Sequence, residues 1–176
     1  MSIESVPIAK VMITNVKTAE EEQSVSSVAK LMSDNNIGSV IIMKNGEGRE
    51  LSGIITERDI VHITGAIQTS SPLTLQLLLA RHIMSKPVIT ICAESSIQDA
   101  IQSMKLNNIR RLPVVNREGM LVGIITDKDI FRAIINSQSM VASISENVTI
   151  EYRPIYERLS EFMMGEMLLP RGSNPN

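Results

Sequence analysis

Apolar residues recur at Val25, Val28, Leu31 and Met32, and again at Ile97, Ala100, Ile101 and Met104. Spacings of three and four residues place each set on one face of a helix. Each predicted helix follows a serine, Ser24 or Ser96, whose hydroxyl can accept from the first free N–H groups. Asp99 adds a carboxylate to the first turn of the second helix, where the helix dipole favours it. Both helices end at Asn-Asn-Ile, residues 35–37 and 107–109. Asparagine tolerates the left-handed backbone that often follows a helix.

Short β-branched runs come next. Val40-Ile41-Ile42-Met43 and Leu51-Ser52-Gly53-Ile54-Ile55 flank a turn containing Asn45-Gly46. Leu112-Pro113-Val114-Val115 and Leu121-Val122-Gly123-Ile124-Ile125 flank Asn116-Arg117-Glu118-Gly119. Asn-Gly and Glu-Gly mark both as hairpins. Thr56 and Thr126 then open a further helix, with Asp59 and Asp129 in its first turn. With the matching segments that carry Val16 and Thr18, and Val88 and Thr90, each half reads strand–helix–strand–strand–helix.

The halves are repeats. Gly53-Ile54-Ile55-Thr56-Glu57-Arg58-Asp59-Ile60 returns 70 positions later as Gly123-Ile124-Ile125-Thr126-Asp127-Lys128-Asp129-Ile130. Met12, Val16 and Thr18 return 72 positions later as Met84, Val88 and Thr90; the longer first hairpin accounts for the difference. Self-similarity at a fixed period decides the architecture before any local reading. The expected division is a first repeat over 8–66, a linker over 67–81, a second repeat over 82–136 and a tail over 140–176. Within the linker, Leu73 to Leu79 reads as helical. Ile155, Leu159, Phe162, Met163 and Met167 predict an amphipathic helix over 152–169. The Leu-Pro-Arg-Gly-Ser at 169–173 resembles a protease-site remnant.

Composition narrows the function. Hydrophobic residues make up 43% of the 176, enough for a core, and the net charge is -2. That balance gives no general attraction to nucleic acid or anionic membranes, and aromatics at 2% supply few rings for base stacking. No apolar run reaches the ~20 residues that span a bilayer. A single cysteine, Cys92, fits a reducing compartment, so a soluble cytoplasmic protein is expected. Cys92, His62 and His82 are too few for a Cys/His zinc site. Cys92 reads as a small buried hydrophobe, the histidines as surface or packing residues, the methionines as core filler and Glu20-Glu21-Glu22 as a solvated turn. No Gly-x-Ser-x-Gly, Walker lysine loop or His-Glu-x-x-His occurs, so no enzyme is expected.

Met-x(3)-Val-x-Thr, the serine-capped helix, Asn-Asn-Ile before a hairpin and Gly-Ile-Ile-Thr-x-x-Asp-Ile, in this order twice, resemble the cystathionine-β-synthase (CBS) domain family in its tandem-pair (Bateman module) form. The resemblance covers roughly residues 8–136 and leaves the tail outside. It implies an α/β (α+β) fold of two β-α-β-β-α repeats packed by pseudo-twofold symmetry, with two related clefts. Many such pairs bind AMP, ADP, ATP or S-adenosylmethionine, and others bind nothing.

Carried over by position, the first cleft combines Ile54, Thr56 and Asp59 with Ile89, Ile109, Arg110 and Arg111. The second combines Ile124, Thr126 and Asp129 with Lys17, Ile37, Gly38 and Ser39. The chemistry is plausible residue by residue. A carboxylate can accept from both hydroxyls of a ribose diol, and a hydroxyl at a helix N-terminus suits phosphate. Because Asn-Asn-Ile precedes Arg110-Arg111 in one repeat and Gly38-Ser39 in the other, the arginine cleft is expected to favour the more highly charged phosphate chain.

The resemblance thus implies a regulatory adenine-nucleotide sensor, homodimeric, with no required cofactor, whose C-terminal helix could engage a protein partner. The alternatives are an adaptor with empty clefts and an S-adenosylmethionine sensor, which would carry no phosphate for Arg110 and Arg111. A nucleic-acid-binding regulator is disfavoured by the charge balance.

Overall fold

The computed structural model describes residues 6–46, 50–66 and 77–136. The predicted tail helix lies outside them, as does most of the linker. After a 3-10 turn at Ile8–Lys10, the first half runs β1 (Thr18–Glu20), α1 (Val25–Asn35), β2 (Ser39–Met43), β3 (Leu51–Thr56) and α2 (Glu57–Ala66). A short helix, α3 (Ala80–Ile83), leads into β4 (Ile91–Cys92), α4 (Ile97–Leu106), β5 (Arg111–Val115), β6 (Leu121–Thr126) and α5 (Asp127–Asn136). Each half holds a three-stranded sheet whose middle strand is parallel to the first and antiparallel to the third.

Local chemistry explains the repeated boundaries. Ser24 and Ser96 accept from the N–H groups of Ser27 and Asp99, as their positions predict. The double asparagine has a divided role. The first of each pair donates its amide to a last-turn carbonyl, Asn35 to Leu31 and Asn107 to Ser103. The second takes the left-handed backbone, with φ of 50° at Asn36 and 51° at Asn108. The middle strands are buried on both faces at Val40-Ile41-Ile42 and Leu112-Pro113-Val114.

The two cores are not made from contiguous sequence. Ala19, Val28, Met32, Val40, Ile42 and Ile55 form the first, and Ala80 and Met84 from beyond the linker complete it. Ile97, Ala100, Met104, Leu112, Val114, Ile125, Ile130 and Ile134 form the second, completed by Ile8 from the N-terminal segment. Backbone bonds repeat the exchange: Ile8 N to Ser95 O (2.8 Å) and Ala9 N to Ala93 O (3.0 Å) match Ala80 N to Gln23 O (2.8 Å) and Arg81 N to Glu21 O (3.1 Å). Each lead-in therefore belongs, by packing, to the other half.

This exchange corrects two local expectations. Leu79 is extended, with φ -95° and ψ 155°, so a helix does not run through it. The backbone there pairs instead with the start of α1, Val25 N donating to Leu78 O at 2.7 Å. Nor is 20–22 simply a solvated turn, because Ser52 donates to Glu21 and Arg81 pairs with Glu22. Cys92 is only half-buried, its thiol donating to Glu94 Oε2 at 2.8 Å. Met32, Met84 and Met104 are buried in the cores, while His62 and His82 are exposed.

Candidate functional site

Strands β3 and β6 deliver their last residue, threonine, to the head of a helix. Thr56 N and Thr56 Oγ1 each donate to Asp59 Oδ2 at 2.7 Å. Thr126 repeats this with Asp129 Oδ2 at 3.0 and 2.6 Å, and Asp129 N returns a bond to Thr126 Oγ1 at 3.3 Å. The Thr126–Asp129 pair is thus a reciprocal capping box, whereas in the Thr56–Asp59 pair the threonine donates both bonds. The reciprocal arrangement also joins Ser96 and Asp99 at the head of α4. Both donors of each threonine converge on one carboxylate oxygen, Oδ2. The other oxygen of Asp129 lies 3.7 Å from Arg132 Nη1. Asp129 is only 8% exposed, the one buried charged residue among those described.

The lead-ins cross beside these boxes. Ile54 exchanges backbone bonds with Ser85 (3.2 and 2.9 Å), and Ile124 with Ile13 (2.9 and 2.9 Å). Ile89 and Lys17 each lie four residues beyond a crossing, and Lys17 O accepts from Ile41 N at 3.3 Å. The lead-in of one half thus borders the threonine–aspartate strand of the other. Within each half, Ser39 is registered opposite Thr56 and Arg111 opposite Thr126. Ile37 packs against the first core, and Ile89 and Ile109 against the second.

Arg111 joins the two predicted residue sets. Its Nη1 donates to Gly38 O at 2.5 Å, and Glu57 N donates to the same carbonyl at 3.2 Å. The guanidinium is therefore held at the head of the helix that carries Asp59. A side chain at Gly38 would crowd it, since a Cβ would stand 3.3 Å from Arg111 Nη1 and 3.4 Å from Glu57 Oε2. In the other half Arg110 O accepts from Asp127 N at 3.0 Å, and the Arg110 side chain is exposed.

A small cavity of about 190 Å³ is lined by Val11, Asp129, Arg132 and Ala133. Of these only Asp129 was singled out in the sequence. The signal for Arg132 was available, because residues three apart on a helix share a face. A larger cavity of about 610 Å³, bounded by Glu21, Lys44, Ser52, Lys86 and Val88 among others, contains none of the predicted site residues. Among the described residues, no group of three or more His, Cys, Asp or Glu is placed to hold a metal ion.

The perturbed carboxyls lie away from these clefts. The Ser96 hydroxyl and N–H hold Asp99 below its ordinary range, and the Cys92 thiol does the same for Glu94. Glu50, bonded to Lys44, raises that ammonium.

Comparisons with known proteins agree with this fold. An uncharacterised protein of Methanopyrus kandleri is 37% identical over 144 residues, covering 82% of this chain and 69% of that protein. The CBS domain protein PAE2072 of Pyrobaculum aerophilum, solved in complex with AMP, superposes with a TM-score of 0.66 at 20% identity, covering 81% of this chain and 100% of that one. The CBS domain pair of protein MJ0100, solved with 5′-methylthioadenosine and S-adenosylmethionine, gives a TM-score of 0.63 at 27% identity, covering 74% and 97%. The CBS domain model matches residues 8–64 and again residues 80–136. The chain belongs to the CBS domain family and carries its domains as a tandem pair.

Proposed function

We propose that this CBS pair is a regulatory module that senses an adenosine-containing ligand, an adenine nucleotide first among them, in its two inter-repeat clefts. One observation carries the reading: a threonine–aspartate box occurs twice, each time on a strand bordered by the lead-in of the other half. Both threonine donors use Oδ2, so a ribose diol can approach the second carboxylate oxygen. Apolar Ile54 and Ile124, beside the crossing backbones, offer an adenine ring a flat apolar surface. Support comes also from the ligands of the MJ0100 pair. The site residues are those of the two sets above, with Arg111 already bonded at Gly38.

A second reading, an adaptor with empty clefts, is favoured by one fact. Thr126–Asp129 is already complete as a helix cap, like Ser96–Asp99, and Thr56 already spends both donors on Asp59, with no ligand needed. Calorimetric titration with AMP, ADP, ATP and S-adenosylmethionine separates the two. The sensor predicts binding that weakens at least ~10-fold in Asp59→Ala or Asp129→Ala, the size of a charged hydrogen bond. Because alanine also removes a cap, each variant is titrated well below its own melting temperature. No heat from any of the four ligands would establish the adaptor. We further read the chain as a cytoplasmic homodimer whose tail contacts a partner, with exposed Val61 (70%) and Leu106 (76%) as helical contact residues. Sedimentation of the full chain tests the dimer.

A further inference from the structure

We propose that Arg132 makes the Asp129 cleft selective for adenosine ligands that carry a phosphate on the sugar. The inference rests on the adenosine reading and goes beyond it by assigning a specificity residue outside the repeated motif. Asp129 presents Oδ1 to Arg132 Nη1 at 3.7 Å, within ion-pair range but too long for a hydrogen bond. The Arg132 side chain is 72% exposed, so the guanidinium is tethered near the carboxylate without being locked to it. Both line the 190 Å³ cavity with Val11 and Ala133. Ligand cavities commonly span ~300–1,000 Å³, so this one suits a sugar and its substituent better than a whole nucleotide.

The consequence follows from charge. A ribose hydroxyl that bonds Asp129 Oδ1 displaces Arg132 from its one ion-pair partner among the described residues and leaves a cation beside the sugar. A 5′-phosphate on that sugar lies within reach of an arginine side chain and matches its fork of donors. A 5′-thioether or a plain hydroxyl offers no such charge. The other repeat lacks the device: 70 positions earlier stands His62, an exposed imidazole without the donor fork of a guanidinium. The Ala133 position there is Ile63, and Asp59 has no ion pair among the described residues. Arg111, which the sequence assigned to phosphate in the first cleft, is engaged by the Gly38 carbonyl.

The test titrates AMP and adenosine into the full chain and into Arg132→Gln, Arg132→Lys, Asp129→Ala and Asp59→Ala. AMP affinity should fall roughly tenfold in Arg132→Gln while adenosine affinity stays within about twofold, and Arg132→Lys should recover part of the loss. The AMP effect should also shrink at high salt, because it is a charge contact. Equal changes for AMP and adenosine in Arg132→Gln, or none for either, would overturn the inference even if Asp129→Ala abolishes binding. Binding lost in Asp59→Ala alone would overturn it too, by placing the ligand in the other cleft. AMP binding indifferent to both aspartates would instead overturn the adenosine reading beneath it. Helix content and melting temperature of each variant confirm that a loss is not unfolding.

Discussion

Met84 lies directly over Gly53, so close that a Cβ on the glycine would stand 2.6 Å from Met84 Cγ and 2.8 Å from its Cβ. Met12 covers Gly123 in the same way, with Sδ at 2.6 Å and Ile13 O at 3.1 Å from the corresponding point. The glycine of each Gly-Ile-Ile-Thr strand is where the other half's lead-in crosses.

Gly53→Ala should therefore destabilise the fold by about 1–3 kcal/mol, the usual range for overpacking. Its cost should exceed that of Gly123→Ala. At Gly53 the clash reaches Met84 Cβ at 2.8 Å, the root of the side chain, which cannot swing away without moving backbone, whereas at Gly123 the one contact under 3.0 Å is Met12 Sδ near the end of its side chain. Urea unfolding of both variants checks the order. Equal or negligible losses would mean the lead-ins shift freely.

The exchange of lead-ins makes a spatial prediction. Ile8 is fully buried in the core of the second half. Ile8→Ala should cost ~2–5 kcal/mol, and the loss should first appear in the second half. Amide hydrogen exchange should accelerate over 97–134 more than over 25–56. Met84→Ala should show the reverse pattern, since Met84 completes the first core.

Arg111→Met removes the guanidinium contact between the halves. Gly38 O keeps the bond from Glu57 N, so no buried carbonyl is orphaned. The expected loss is about 1 kcal/mol, the net worth of one hydrogen bond. A loss several times larger, in the same urea measurement, would show that Arg111 has a role beyond this contact.

Asp99 gives a pH signature. Ser96 lowers its pKa, so the folded chain binds that proton more weakly than the unfolded chain does. A depressed carboxylate contributes stability that is complete above the unfolded-state value, ~4, and is lost as pH falls through the lower folded value. Asp99→Asn keeps an acceptor but cannot ionise. It should be less stable than wild type at neutral pH by at most about 1 kcal/mol, because the group is solvent-screened. That gap should close in acid, as paired urea titrations at pH 7 and pH 3 would show.

Much of the architecture was legible because it is local. Serine caps, paired asparagines, glycine turns and apolar spacing act within a few residues, and the chain states each of them twice. The threonine–aspartate pairs were legible for the same reason, since four consecutive positions make each box. Arg132 was not legible from the repeat, because position 132 is where the halves differ. Arg111 was expected to await a ligand, but a carbonyl brought from 73 residues away already occupies it.

By itself, then, the sequence determined the main elements, their order and the duplication. Only the tertiary structure decided which lead-in completes which core, and that Arg111 reaches Gly38 while Arg132 borders a buried Asp129. The reason is physical. An apolar residue such as Ile8 or Met84 states that it will be buried, but hydrophobic burial has no direction and does not name the partner. That choice depends on how the two sheets and their crossing strands fit together.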